Sequence, residues 1–103
     1  MTDIQMLSDQ IEDEIADADK YIMCALEEKE RKPVMAELHY KLSVGELQHM
    51  TELHDMVVKL IEEYRKVHGD PPADMQARYD YLHKRHIKAA TDVRVKQAAY
   101  KAS

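Results

Sequence analysis

Apolar residues recur every three or four positions along most of the chain, and turn residues interrupt them at only two places. This spacing is typical of amphipathic helices. We expect helix one over about residues 3–31, helix two over about 33–68 and helix three over about 72–101. Pro33 separates the first two helices, and the run Gly69-Asp70-Pro71-Pro72 ends the second. Since no segment shows the alternation of a strand, the predicted fold class is all-α.

The start of helix one carries its own signal. Thr2 followed by Gln5 matches a capping box, in which the two side chains bond otherwise free backbone N–H groups. Met1 and Met6 are placed to contact each other across it. We therefore expect a defined helix start within the first few residues.

Charged residues interrupt the apolar stripes of the first two helices. Glu14 lies in the stripe of helix one, and Glu46 and His49 lie in the stripe of helix two. Buried charged groups cost several kcal/mol unless they are paired or bind a metal ion. The interruptions therefore indicate a metal site or a buried polar cluster. The stripe of helix one contains Ile4, Leu7, Ile11, Ala18, Tyr21 and Ala25, and that of helix two contains Leu38, Leu42, Leu53, Met56 and Leu60.

The short turn at residues 31–33 predicts that helices one and two lie antiparallel as a hairpin. Glu14 lies 18 residues before Lys32, whereas Glu46 and His49 lie 14 and 17 residues after it. At about 1.5 Å per residue, the three side chains lie about 27, 21 and 25 Å from the bend. They are therefore predicted to share one level of the hairpin.

The residue types suit a transition-metal ion. Glu46 and His49, at i and i+3, point the same way, and Glu14 can reach the same ion from the neighbouring helix. Carboxylate oxygen with imidazole nitrogen suits iron, manganese or zinc. A two-metal site typically takes four carboxylates and two histidines from four helices, so one hairpin supplies half. A second copy related by a two-fold axis would supply the rest.

Helix three offers few further ligands, since Glu63 is the last glutamate of the chain. It contains Asp80-x-x-His83, with His86 one turn on. We interpret these as surface and core residues, although a part for Asp80 and His83 in metal binding stays open. The remaining helix-two histidines, His39, His54 and His68, are expected on the surface.

The stretch from Glu14 to His49 resembles the iron-binding half of ferritin-like proteins, especially rubrerythrin and the encapsulated ferritins. In those families a helix-one Glu is followed seven residues later by Tyr, and Glu-x-x-His stands on the next helix. Glu14, Tyr21, Glu46 and His49 match this pattern. The resemblance implies a four-helix core completed by dimerisation and a di-iron site that oxidises Fe²⁺, with O₂ or peroxide as the oxidant. Glu14 and Glu46 would be terminal or bridging ligands and His49 the imidazole ligand.

Three further residues are placed around these ligands. The Tyr21 hydroxyl is a candidate to orient a ligand carboxylate, with core packing as the plainer interpretation. Asp17 and Glu52 lie one turn from the ligands. They are candidates for a second shell or an entry path, with a solvated helix face as the alternative.

Composition and charge indicate the number of domains, the expected cellular location and the class of partner. With 103 residues, the chain is long enough for a single helical domain, residues 1–103. No apolar run is long enough for a membrane span, no signal-peptide profile is present, and the only cysteine is Cys24, so a cytoplasmic protein is expected. The net charge of −5 is uneven, because helix three is basic. That helix matches no groove-reading motif for nucleic acid, and an acidic protein is the partner it would suit.

A non-enzymatic function remains open from the residues alone. Glu14, Glu46 and His49 would then form a buried polar cluster that sets the register of a helical dimer. The protein would act as a scaffold or assembly module. The two hypotheses differ in whether metal stabilises the chain.

Overall fold

The computed structural model describes residues 2–103, with side chains from Asp3 onward, and consists of three helices. These are α1 (Thr2–Glu28), α2 (Pro33–His68) and α3 (Ala73–Ala102). The described residues contain no strand, which confirms the all-α prediction. The predicted capping box of Thr2 and the contact of Met1 with Met6 lie outside the described side chains.

Helix α1 ends at Glu28, three residues before the predicted end at Arg31. The chain turns over residues 29–31, and the Lys32 amide donates to the Glu28 carbonyl at 2.7 Å. Pro33 then occupies the first position of α2, where its missing N–H costs nothing. The turn is short enough to bring α1 and α2 together as an antiparallel hairpin.

Helix α2 ends at His68 and is capped by Gly69, whose φ of 77° lies in the left-handed region. Only glycine adopts this conformation without a steric penalty, and its amide donates to the Arg65 carbonyl at 2.9 Å. Pro71 and Pro72 follow, and α3 begins at Ala73. The chain therefore reverses a second time.

Polar contacts fix the direction of α3 along the hairpin. Its early residue Arg78 bonds Gln5, and its late residue Lys96 bonds Asp19, so α3 runs parallel to α1. Near its end the Tyr100 hydroxyl donates to Glu37, close to the start of α2. The result is a rod of 56 × 18 × 17 Å in which α3 packs mainly on α1.

The core runs along the whole rod and contains several small side chains. Ala18, Ala25 and Ala36 are fully buried, which lets the hairpin helices approach closely. The larger buried residues are Leu7, Ile11, Ile15 and Ile22 of α1, Leu47, Met50, Val57 and Ile61 of α2, and Val93 and Tyr100 of α3.

The apolar stripe predicted for α2 does not form the core of the single chain. Leu38, Leu42 and Met56 are 49%, 38% and 45% exposed, and Leu53 and Leu60 are half-buried. The helix is apolar on two adjacent faces, and it packs the face with small Ala36 and Ser43 against α1. The five residues of the predicted stripe, called the open stripe below, are left on the side of the hairpin away from α3.

In the part of the chain that is described, no helix is both long and apolar enough to cross a membrane.

Candidate metal centre

The structure brings Glu14, Glu46 and His49 together across the hairpin. Each offers one ligand atom, and these atoms lie within 4.8 Å of one another. Nδ1 of His49 is 3.4 Å from Oε2 of Glu14 and 4.0 Å from Oε2 of Glu46. The three side chains therefore share one level, as the register of the hairpin predicts, and could close around one ion with small rotamer changes.

Burial is graded across the cluster. The side chains of Glu14 and Glu46 are 26% and 20% exposed, whereas that of His49 is 59% exposed. Oε2 of Glu14 is shielded from solvent and accepts no hydrogen bond from the described residues. A shielded carboxylate oxygen without a partner is costly. A bound cation would satisfy it.

The Glu14 carboxyl perturbs the pKa of its neighbour Glu46. A hydrogen bond to the Glu14 carboxyl, burial, and the negative charge of Glu14 together raise the pKa of Glu46 to about 7. Asp17 adds to this rise, and His49 opposes it. Without a cation, the Glu46 carboxyl is therefore partly protonated at neutral pH.

A shallow depression surrounds the cluster on the open side of the hairpin. Gln10 and Glu52 line it with the ligands Glu14 and His49. Its apolar wall is formed by Leu7, Leu53 and Met56. The cluster thus opens onto the same surface as the open stripe.

The predicted neighbours of the ligands take different places. Glu52 lines the depression, and Asp17 is exposed but close enough to act on the pKa of Glu46. Tyr21 is half-buried and stacks on His39, with ring centroids 6.0 Å apart. Its ring therefore packs at the next level of the hairpin, and its part in orienting a ligand stays a prediction.

Ser43 helps to fix the register of α1 and α2 at the site, a role that no sequence motif predicted. Its fully buried hydroxyl donates to the Ala18 carbonyl at 2.7 Å and accepts from Gln97 Nε2 at 2.9 Å. Ala18 lies one turn after Glu14, and Ser43 one turn before Glu46. The bond therefore ties the two ligand-bearing helices together beside the cluster. A serine within an otherwise apolar helical face was the available signal.

The remaining histidines differ from expectation at two positions. His68 is exposed, as predicted, but His39 bonds the Glu28 carboxylate and His54 bonds His83, so both are half-buried. The surface prediction for His39 and His54 was wrong, because His39 contacts Glu28 of α1 and His54 contacts His83 of α3.

Helix α3 contributes no atom to the cluster. Asp80 is exposed and accepts from Gln76, whereas His83 faces His54. His86 is buried, in agreement with the core interpretation, with Nε2 3.3 Å from Oε1 of Glu12. The two residues of the Asp80-x-x-His83 motif therefore contact different side chains, Gln76 and His54.

Comparison with protein-family models, curated proteins and solved structures gives no match. The case for a function therefore rests on the geometry of the cluster and on the surface around it.

Proposed function

We propose that two copies of this chain pair through the open stripe and bind a di-iron centre between them, of the ferritin-like type that the sequence resembles. The observation that carries the proposal is the cluster itself. Two carboxylates and an imidazole meet within 4.8 Å, and a shielded oxygen of Glu14 lacks a hydrogen-bond partner among the described residues. Such a donor set suits iron or manganese, and also zinc.

The need for a second copy follows from counting ligands. One chain supplies two carboxylates and one imidazole, which is half of the usual set for two bridged ions. Across a two-fold axis, a second chain repeats Glu14, Glu46 and His49 opposite the first. The helices α1 and α2 of both chains would then form a four-helix core.

The surface around the cluster supports the same pairing. Leu38, Leu42 and Met56 stay exposed in the single chain, and they flank the cluster along α2. Covering them would remove apolar surface from water and shield the exposed His49. Helix α3 does not obstruct this pairing, because it lies on the other side of the hairpin.

Iron bound here would pass electrons to O₂ or peroxide, which is ferroxidase chemistry. The chain's own residues would hold the ions and handle a proton. Glu46 loses its proton when its carboxylate binds metal, because ligation requires the charged form. Glu14 and His49 complete the set from the two helices, and the surrounding apolar side chains limit access of water.

The test is iron stoichiometry after anaerobic Fe²⁺ loading, measured together with native mass. We expect about one iron per chain in a dimer, as two half-sites require. Glu46→Ala/His49→Ala should lose this iron. Glu62→Ala, which removes an exposed acid of α2 that does not line the depression, is the matched control and should keep it. O₂ consumption by the loaded protein then tests the oxidase step.

A scaffold function is the competing proposal, and the open stripe is the observation that favours it. A scaffold would form the same dimer without metal. Fe²⁺ should raise the melting temperature of a metal protein but not of a scaffold. A dimer that binds no iron and gains no stability from Fe²⁺ would decide for the scaffold.

A further inference from the structure

A second pair of metal-binding side chains joins α2 to α3, outside the cluster described above. Nε2 of His54 lies 2.9 Å from Nδ1 of His83. The two rings are stacked, with centroids 4.6 Å apart and planes 22° apart. Both residues are half-buried, so the pair is held by packing yet reachable from solvent.

The spacing of the two nitrogens fits a shared ion. An imidazole nitrogen lies about 2.0–2.1 Å from a bound Zn²⁺, which places two such nitrogens about 3.3 Å apart at the tetrahedral angle. The facing nitrogens of His54 and His83 are 2.9 Å apart, so they need to separate by only about 0.4 Å to share an ion. In the metal-free pair, one ring donates its N–H to the lone pair of the other. To bind an ion, the donor ring would carry its proton on its other nitrogen, and the rings would turn so that the two lone pairs converge.

The surroundings favour the form of the pair that binds metal. Burial lowers the pKa of the His54 imidazole, and the neighbouring His83 lowers it further. Neutral imidazole is the ligand form. Tyr79 stacks on the His83 ring, with planes 13° apart, and limits its rotation. His86, one turn on, faces Glu12 of α1 and not this pair.

We propose that His54 and His83 form a second divalent-metal site, which takes Zn²⁺, Cu²⁺ or Ni²⁺ through two imidazoles. This ligand set differs from the carboxylate-rich cluster, since imidazole suits these three ions. Water completes the coordination on the exposed side. The ion would clamp α3 onto α2, where the helices share few other contacts. The proposal does not depend on the function proposed for Glu14, Glu46 and His49.

The test is Zn²⁺ titration of Glu46→Ala/His49→Ala, in which the first site is removed. Calorimetry should show one Zn²⁺ per chain, and Zn²⁺ should raise the melting temperature. Losing even an outer-shell partner typically weakens metal affinity tenfold or more, so loss of the ligand in His54→Asn or His83→Asn should weaken Zn²⁺ binding by at least about tenfold. His68→Asn, which changes an exposed histidine, is the matched control and should bind as before.

Electron paramagnetic resonance of bound Cu²⁺ gives a second measurement, made in Glu46→Ala/His49→Ala so that no imidazole of the first site contributes. Coupling to two imidazole nitrogens should appear, and adding His54→Asn should remove it. In the otherwise unaltered chain, His54→Asn should leave iron loading at the other site intact. The proposal is overturned if this coupling is absent, or if it survives both His54→Asn and His83→Asn. Loss of iron loading in Glu46→Ala/His49→Ala with Zn²⁺ binding intact would separate the two sites.

Discussion

Glu46 lies on a half-buried helix face, directly beside the carboxyl group of Glu14. In the metal-free chain this arrangement is unfavourable, because two negative charges and a shielded oxygen meet where water is scarce. The raised pKa of Glu46 expresses that cost. Such strain is typical of sites kept for binding, although buried ion clusters that serve only structure also show it.

The pKa of Glu46 predicts how the stability of the metal-free chain depends on pH. Its folded-state pKa of about 7 lies above the ordinary value of 4.5, so its stabilising effect is complete below pH 4.5 and is lost as pH rises to 7. Glu46→Gln carries no titrating group, so it should gain roughly 1–3 kcal/mol over the unaltered chain between pH 5 and pH 8. Urea unfolding in the presence of a chelator measures this difference.

Gln10→Asn is the control for that comparison, because Gln10 lines the same depression, is exposed and carries no titrating group. Its stability difference from the unaltered chain should stay nearly constant with pH. A constant difference for Glu46→Gln as well would contradict the raised pKa.

At the scale of the helices, buried polar bonds and small side chains set how α1, α2 and α3 fit together. Ser43 bonds both neighbouring helices, and fully buried Ala18 leaves room for it. A one-residue shift of α2 would break these bonds and would also separate Glu46 from Glu14. The register needed for packing is therefore the register that assembles the cluster.

Replacing Ser43 tests this link between packing and site. Ser43→Ala removes one bond to each neighbouring helix, at a cost of about 1–2 kcal/mol in unfolding free energy. Thr51→Ala is the matched control, because the Thr51 hydroxyl bonds only the Leu47 carbonyl of its own helix. It should cost less than about 0.5 kcal/mol, as exposed substitutions usually do. Equal losses in the two variants, measured by chemical denaturation, would argue against a role for Ser43 in joining the helices.

Helix α3 is held by its own apolar contacts, and Val93 tests them. Val93 is 2% exposed, whereas Val95, two residues on, is 63% exposed. Val93→Ala should cost about 2 kcal/mol through lost burial and the cavity left behind, and Val95→Ala close to nothing. Thermal unfolding followed by circular dichroism distinguishes them. Similar melting temperatures would mean that α3 is not packed as described.

At the scale of the whole molecule, the rod has one side covered by α3 and one side open. The open side carries the cluster and the open stripe together, which is the basis for expecting a second copy there. The opposite side carries the bond between His54 and His83. The two proposed metal sites therefore belong to different contacts, one between chains and one within a chain.

Charges placed on the open stripe test the pairing. In Leu42→Lys/Met56→Lys, two new cations would face their copies across the two-fold axis, so native mass should fall to that of a monomer and iron per chain should drop. Helicity should persist, because both positions are already exposed in the single chain. Val95→Lys, on the outer face of α3, should change neither mass nor iron loading. A dimer that survives the double substitution would place the interface elsewhere.

The sequence alone determined where the helices lie in the chain and how far the site lies from the first turn. Apolar spacing with Pro33 and Gly69 placed the two turns, because these residues control the backbone locally. The short first turn then set the antiparallel register that aligns Glu14 with Glu46 and His49, since rise per residue is constant along a helix.

Only the tertiary structure decided which face of α2 meets α1 and what the histidines contact. Helix α2 is apolar on two adjacent faces, and hydrophobicity does not rank them. Close packing favours the face with Ala36 and Ser43, and this choice leaves the open stripe uncovered. The pairing of His54 with His83 depends on how α3 lies on the hairpin, so no pattern within a single helix could reveal it.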